Sequence, residues 1–259
     1  MDGDGIARDG IRPGDTVVVT GGGGGFGQAL VRRFARDGAK VAVWDVDASL
    51  GEETVRQVKG EGGQAQFFKA DLVQPGEIDA AVKQTRDVFG APYCVINNAS
   101  IYPRVSILDM APEAWERAFR VNITAPFLIA KAFGAGMIAR KRGVIINMSS
   151  GRALQGAQDG AAYACTKAAL LSLTKSLALE WAKHNIRVNA IIPGMSLTAQ
   201  PLANATAEEL IARGRKENPL GRIGYPEDVA GLAAFLASSD AAFMTGQGVA
   251  VNGGRIMIP

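Results

Sequence analysis

The chain is poor in cysteine, histidine and uncompensated charge, and each shortage closes off a class of function. Cys94 and Cys165 are too few for a disulfide framework or a thiolate cage, and each lies in an apolar element where a buried thiol is the ordinary outcome. His184 is the only histidine and has no cysteine or carboxylate cluster around it, so no metal is expected. Basic residues exceed acidic ones by only 28 to 25 and are dispersed rather than gathered into a stripe, so no nucleic-acid partner is expected. The opening MDGDGIARDGIRPGD has no basic start followed by an apolar segment, and no apolar stretch elsewhere reads as long enough to span a bilayer. A cytoplasmic protein without a membrane partner is therefore expected. With 47% hydrophobic and 20% charged residues, the composition is that of a globular protein and excludes disorder over most of the length.

What the chain does have is alternation. Short β-branched runs at 16–20, 40–45, 64–70, 93–97, 143–149, 186–192 and 248–251 are separated by longer helical patterns. Several of these runs (VVVT, VAVWD, YCVIN, GVIINM, RVNAII) are continuously apolar, as strands are when helices cover both faces of a parallel sheet. The order predicts an α/β single-domain, doubly wound parallel sheet of about seven strands with helices on both faces, a Rossmann fold. Residues 1–14 carry no periodic pattern and are expected to be a mobile tail, leaving 15–259 as the folded domain. A polar, alanine-rich interruption at about 195–219 follows the sixth strand at the sheet edge where such folds bind ligands, and is expected to form a substrate lid.

The first strand runs through Thr20 into Gly21–Gly27, and a helical pattern follows directly. A strand, a glycine turn and a helix N-terminus together offer backbone N–H groups and a helix dipole to a pyrophosphate. The run fits two registers, G-x-G-x-x-G at Gly22, Gly24 and Gly27, and T-G-x-x-x-G-x-G at Thr20, Gly21, Gly25 and Gly27 with Phe26 inside it. Asp45 closes the second strand 18 residues beyond Gly27, where a carboxylate accepts from the adenosine ribose and repels a 2′-phosphate. The neighbouring Val46 supplies no cation, so NAD is favoured over NADP. Asp47 is an alternative ribose partner or a helix cap.

Tyr163 and Lys167 stand four apart on one predicted helix, so the phenol and the ammonium share a face, and Ser150 precedes the tyrosine by 13 positions at the end of an apolar run. A nearby ammonium favours the phenolate, and Lys167 is expected to lower the Tyr163 pKa. With this trio, the glycine turn and Asn97-Asn98-Ala99 all in order, the chain resembles the short-chain dehydrogenase/reductase family from about Thr16 to Gly254, including Pro193-Gly194 and the Val251-Asn252-Gly253-Gly254 tail.

The resemblance implies hydride transfer between NAD and a secondary alcohol or ketone. It casts Ser150, Tyr163 and Lys167 as catalytic and Asn122 as the asparagine holding a water in a proton relay. It also implies that Asp71 bonds the adenine with Leu72 against the ring, that Asn98, beside Ala99, supports the cofactor strand, and that Pro193, Gly194 and Thr198 meet the nicotinamide end. Asn97 and Asn98 are otherwise turn formers. Ser100 stands where the family has glycine, and Gly22 to Gly24 replace polar side chains, two departures bearing on cofactor affinity.

Substrate walls are expected at Ile101, Tyr102, Arg104, Arg152–Gln155 and Met195–Leu202. Guanidinium at Arg104 or Arg152 suits a carboxylate or phosphate, although a solvated loop position accounts for either equally. The substrate classes left open are a small polar polyol, sugar or sugar acid and a 3-hydroxyacyl thioester. The competing functions are an NADP-dependent 3-oxoacyl thioester reductase and a dinucleotide-binding sensor without turnover. Gly134 and Gly136 inside the predicted helix 112–140 each cost about 1 kcal/mol against alanine, which close approach of a partner helix offsets. The resemblance likewise implies a homotetramer, with residues 255–259 at another interface.

Overall fold

The computed structural model describes residues 10–202 and 205–257. Seven strands, β1 (Thr16–Thr20), β2 (Lys40–Asp45), β3 (Gln64–Lys69), β4 (Cys94–Asn97), β5 (Gly143–Met148), β6 (Ile186–Pro193) and β7 (Gly248–Val251), form one parallel sheet in the order β3-β2-β1-β4-β5-β6-β7. The order reverses between β1 and β4, and this is the crevice where doubly wound sheets take ligands. Every residue of β1, β4 and β5 is buried. The edge strand β3 alternates instead, exposing Gln64, Gln66 and Lys69. Polar and charged side chains of this kind keep an open edge from pairing with another sheet.

The crossovers are α1 (Gly25–Arg36), α2 (Ala48–Gly60), α3 (Pro75–Phe89), α4 (Pro112–Phe119), α5 (Ala125–Arg140), α6 (Arg152–Gln155), α7 (Ala161–Trp181), α8 (Ala199–Leu202), α9 (Ala207–Glu217) and α10 (Pro226–Ala237). Two cores result, one per face. Leu30 and Phe34 of α1 and Ala233 and Leu236 of α10 pack with Val17, Val19 and Ile146 on one side. On the other, Ile78, Ile129, Phe133 and Leu177 from α3, α5 and α7 pack with Val18, Val95 and Ile145. Within the region 195–219, α8 and α9 follow the carboxyl end of β6, and residues 203–204 lie outside the described part.

Four expectations are corrected. Residues 10–14 are not a loose tail: the Ile11 N–H donates to the Ala237 carbonyl at 3.1 Å, that of Gly14 donates to Gly38 at 2.8 Å, and the Gly10 carbonyl accepts from Arg142 at 2.7 Å. Residues 1–9 lie outside the described part. Cys94 is buried, but Cys165 faces outward on α7. The helix 112–140 is long and apolar enough, by length and composition, to cross a membrane. Half of its most apolar window is buried, and Ile129, Phe133 and Met137 are spent on the sheet, the ordinary reason for a core helix to be apolar. Finally, Gly134 is explained within the chain, because a Cβ there would lie 2.6 Å from the Trp181 ring of α7.

That contact sets Gly134 apart from Gly136, whose added Cβ would meet nothing nearer than Arg140 Nη1 at 3.4 Å. Gly134→Ala is expected to destabilise the fold by about 1–3 kcal/mol through overpacking. Gly136→Ala is expected to be neutral or stabilising by up to about 1 kcal/mol through helix propensity. Denaturant unfolding of both variants beside the parent checks the contrast.

Candidate active site

Residues at the carboxyl ends of β4, β5 and β6, with Phe26 of α1, line one cleft, and the turn after β1 is bonded to the end of β4 beside it. The Thr20 hydroxyl accepts from the backbone N–H groups of Asn98 and Ala99 at 3.0 Å each, and the Asn98 amide donates to the carbonyls of Thr20 and Gly21, also at 3.0 Å. Gly21 has φ +63°, and a Cβ on it would stand 2.9 Å from Ala99 Cα. At Gly27 a Cβ would lie 1.8 Å from the Gly21 carbonyl oxygen. These contacts favour the register Thr20, Gly21, Gly25, Gly27. α1 begins at Gly25 with no side-chain cap, so its first N–H groups stay free for an anion.

Asp45 is partly buried. Its Oδ2 accepts from Gly23 N–H at 2.9 Å and its Oδ1 from Asp47 N–H at 3.0 Å, which leaves lone pairs on both oxygens for ribose hydroxyls. Asp47 is settled as the cap of α2, accepting from Ser49 and Leu50 N–H. The bare side of the turn is imposed by its neighbours. A Cβ on Gly22 would stand 2.8 Å from Val43 Cγ1, and one on Gly23 2.8 Å from Leu50 Cβ, while Gly24 is open. Val46 is exposed beside this end of the cleft. Asp71 accepts from Val73 N–H at 3.0 Å. Leu72, 9% exposed, packs in the cluster that contains Ile78 and Val82. A cradle in which Gly21, Gly22, Gly23 and Gly27 leave no room for a side chain, an uncapped helix start and a carboxylate with free lone pairs together fit a nicotinamide dinucleotide.

At the centre of the cleft, Ser150 stands beside the Tyr163 phenol, where its hydroxyl favours the ionised form, and the Lys167 Nζ lies 5.5 Å from the centroid of the tyrosine ring. Both side chains are buried, Tyr163 8% and Lys167 2% exposed. Lys167 Nζ donates to the Met148 carbonyl at 2.7 Å, and burial pushes its pKa down to about 7. Burial also holds the Tyr163 phenol above its ordinary value, with Ser150 acting against the rise. The net shift at Tyr163 is upward, not the lowering expected, because desolvation of the buried phenol is its largest cause.

Asn122 sits in a widened, π-type turn at Arg120–Thr124 that joins α4 to α5, the kind of helix defect often found at functional positions. Its amide nitrogen donates to Ile101 O (2.9 Å) and Thr166 Oγ1 (3.0 Å), and its oxygen accepts from Ile101 N–H (2.9 Å). The side chain therefore clamps the loop after β4 onto α7. Both of its hydrogens are committed, so it has none left to donate to a relay water.

The cleft encloses about 870 Å³. Of the expected positions, Phe26, Asn98, Ser100, Tyr102, Arg104, Arg152, Gln155, Pro193, Gly194, Met195 and Thr198 line it, whereas Ile101 is held behind the wall by Asn122. Lining residues that the sequence did not single out include Arg213 of α9 and Arg255. Arg213 pairs with Glu217 at 3.5 Å, and the same carboxylate takes Arg255. Arg255 was expected at a subunit interface; here it faces the cleft, with Met195 Sδ 3.9 Å away. Residues 258–259 lie outside the described part. A cation on the outward side of a polar helix looks like any solvated residue, so only the packing of α9 against the β7 end reveals Arg213.

A seven-stranded doubly wound sheet with a dinucleotide cradle and a serine–tyrosine–lysine cluster at its switch point defines a nicotinamide-dependent oxidoreductase. Residues 22–255 match the family described as enoyl-(acyl carrier protein) reductase. The chain is 38% identical to 2-(S)-hydroxypropyl-CoM dehydrogenase 3 of Xanthobacter autotrophicus over 94% of this chain and 97% of that protein. It is 34% identical to the 3-oxoacyl-acyl-carrier-protein reductase of Chlamydia pneumoniae, covering 93% and 95%. Among solved structures it superposes, with a TM-score of 0.88 and 34% identity, on a protein provisionally named as an NAD(P)-dependent gluconate 5-dehydrogenase from Beutenbergia cavernae, with NADP bound at low occupancy. That match covers 94% of this chain and 97% of the other. The chain belongs to the short-chain dehydrogenase/reductase family and is an oxidoreductase acting on CH–OH groups.

The buried lysine makes stability depend on pH. Its folded pKa, about 7, lies below the unfolded value near ~10.4, so between these values the unfolded chain holds a proton that the folded one has released. Stability from this group therefore rises with pH across that window, at up to about 1.4 kcal/mol per unit. Cys94, pushed up to about 12 by burial, acts in the opposite sense above about pH 8.5. Unfolding free energies of wild type and Lys167→Met, measured from pH 6.5 to 10, are expected to differ by an amount that shrinks as pH rises.

Proposed function

We propose that this protein is an NAD-dependent dehydrogenase that oxidises a secondary alcohol of a small polar substrate to the ketone, with a sugar acid favoured over a neutral polyol or sugar. The observation that carries the reading is that Ser150, buried Tyr163 and buried Lys167, its Nζ 5.5 Å from the tyrosine ring, meet in one cleft whose walls carry Arg104, Arg152, Arg213 and Arg255. When bound, NAD supplies the hydride acceptor. Thr20, Gly21, Gly25, Gly27 and Asp45 hold its adenosine and pyrophosphate half, and Pro193, Gly194 and Thr198 its nicotinamide end. Ser150 donates to the reacting oxygen, and Tyr163 takes the hydroxyl proton on oxidation and returns it on reduction. Lys167, with its pKa about 7, passes that proton on near neutrality, and Asn122 serves by clamping the 101 loop. Residues 195–219 close over the substrate as a lid.

Asp45 supports NAD, since its charge opposes a 2′-phosphate and none of Gly21 to Gly27 carries a cation. Gluconate dehydrogenase in the name of a structural neighbour supports a sugar acid, and guanidinium suits its carboxylate. A second reading, reduction of 3-oxoacyl thioesters with NADP, is favoured by the name of the Chlamydia relative and by the NADP in that same neighbour. Exposed Phe127 and Leu179 on α5 and α7 support a homotetramer built through those helices.

The deciding measurement is NAD and NADP reduction across polyols, sugars, sugar acids and 3-hydroxyacyl thioesters. Turnover of a sugar acid with NAD is expected; exclusive use of NADP with thioesters would replace the proposal by the second reading. Tyr163→Phe is expected to lose about 10²- to 10⁴-fold in kcat. Retention of near-normal turnover in that variant would remove Tyr163 as the acid–base group. Arg152→Glu is expected to raise KM for anionic substrates while leaving that for neutral polyols near the parent value, and equal KM changes for both would count against the carboxylate subsite.

A further inference from the structure

Residues 101–105 cross the cleft between β4 and α4 and are tied at both ends. Asn122 holds Ile101 through its N–H and its carbonyl, and the Val105 N–H donates to the Asp159 carbonyl at 2.9 Å. Between these ties the Tyr102 ring lies flat on the Tyr163 ring, with centroids 4.2 Å apart and planes 9° from parallel. The Arg104 guanidinium sits over the Tyr102 ring at 4.9 Å. At the start of α7, Gly160 makes room for the stack: a Cβ there would stand 2.6 Å from both Cε2 and Oη of Tyr102.

Two near-parallel phenol rings attract when offset, as a centroid separation of 4.2 Å allows. The backbone ties bring the rings together, and a guanidinium over one of them adds cation–π attraction. We propose that Tyr102 is a positioning residue for Tyr163: held by Arg104 and by the two ends of its loop, it fixes the plane of the Tyr163 ring and keeps water off one face, so that the hydroxyl stays on Ser150. The proposal rests on Tyr163 being the acid–base group. It also gives Arg104 a task other than binding substrate. A ring free to rock would displace the hydroxyl relative to Ser150, and misplacements of about 1 Å in an active site cost on the order of 10²-fold in rate.

The experiment titrates Tyr163 by its phenolate absorbance, without cofactor or turnover. Subtracting the same protein carrying Tyr163→Phe isolates one of the four tyrosines. The groups facing the Tyr163 hydroxyl are Ser150 and Arg152 from the β5 end, Lys167 from its own helix and Tyr102 from the loop. Tyr102→Leu is expected to move the phenol down from its raised position toward its ordinary value, because water then reaches the ring. Tyr102→Phe, which keeps a ring on the stack, is expected to leave the phenol raised. Gly160→Ala, which pushes Tyr102 away from the other side, is expected to follow the leucine variant, and it keeps the test open if that variant does not fold. NADH fluorescence titration of each protein reports that the cradle is intact. With the substrate the wild type turns over best, kcat of Tyr102→Leu is expected to fall at least about tenfold, within the range such misplacement causes. A Tyr163 titration unchanged in both Tyr102→Leu and Gly160→Ala overturns the proposal. Full turnover in Tyr163→Phe overturns instead the reading beneath it, and the titration then still reports whether the stack exists.

Discussion

Thr20 and Asn98 join the two halves of the sheet at the one place where the strand order reverses. One hydroxyl receives two backbone N–H groups from the end of β4, and one amide grips two carbonyls at the end of β1. These bonds bring the glycine turn against Ala99 so closely that Gly21 and Gly27 have no space for a side chain. The free N-terminus of α1, the carboxylate of Asp45 and the loop that carries Tyr102 all take their positions from this junction. A site assembled on strand ends in this way inherits the rigidity of the sheet, whose central strands are wholly buried.

The cluster of Ser150, Tyr163 and Lys167 lives with an electrostatic cost. A lysine and a tyrosine that are both buried each shift toward their neutral forms, because the strands and helices around them leave only their cleft-facing edges near water. Lys167 keeps one strong partner, the Met148 carbonyl, while Ser150 beside Tyr163 favours its ionised form. The result is an ammonium that gives up its proton readily beside a phenol that holds its own tightly. Local stability is given up for function at a point where the surrounding core is dense enough to bear it.

Much of the fold was legible in the sequence, because the β-branched runs at 16–20 and 40–45 are too apolar to lie anywhere except inside a two-faced sheet. Boundaries moved by one residue, as at β4, which starts at Cys94, and β6, which runs through Pro193. The cluster of Ser150, Tyr163 and Lys167 was legible because helix periodicity is local. What was hidden depends on contacts across long sequence separations. Nothing near Leu72 distinguishes core from groove, nothing near Cys165 says that its helix face points outward, and the Asn122 side chain shows its task only once Ile101 is folded against it. Arg213 and Arg255 meet only through Glu217, after α9 has packed beside the C-terminal segment. The stacking of Tyr102 on Tyr163 was equally invisible, since it needs a glycine at 160 that reads in sequence as a simple helix start.

The bare glycines at 22 and 23 bear on how this lineage can change. In this fold, a basic side chain in the turn would be the most direct means of welcoming a second phosphate on the adenosine. At Gly22 it would run into Val43, and at Gly23 into Leu50 and the Asp45 carboxylate itself. Only Gly24, with open space around it, and exposed Val46 remain as entry points. Drift in nucleotide preference is thereby funnelled through two positions, and α2, by lying so close to the turn, works as a constraint on evolutionary history as much as on shape.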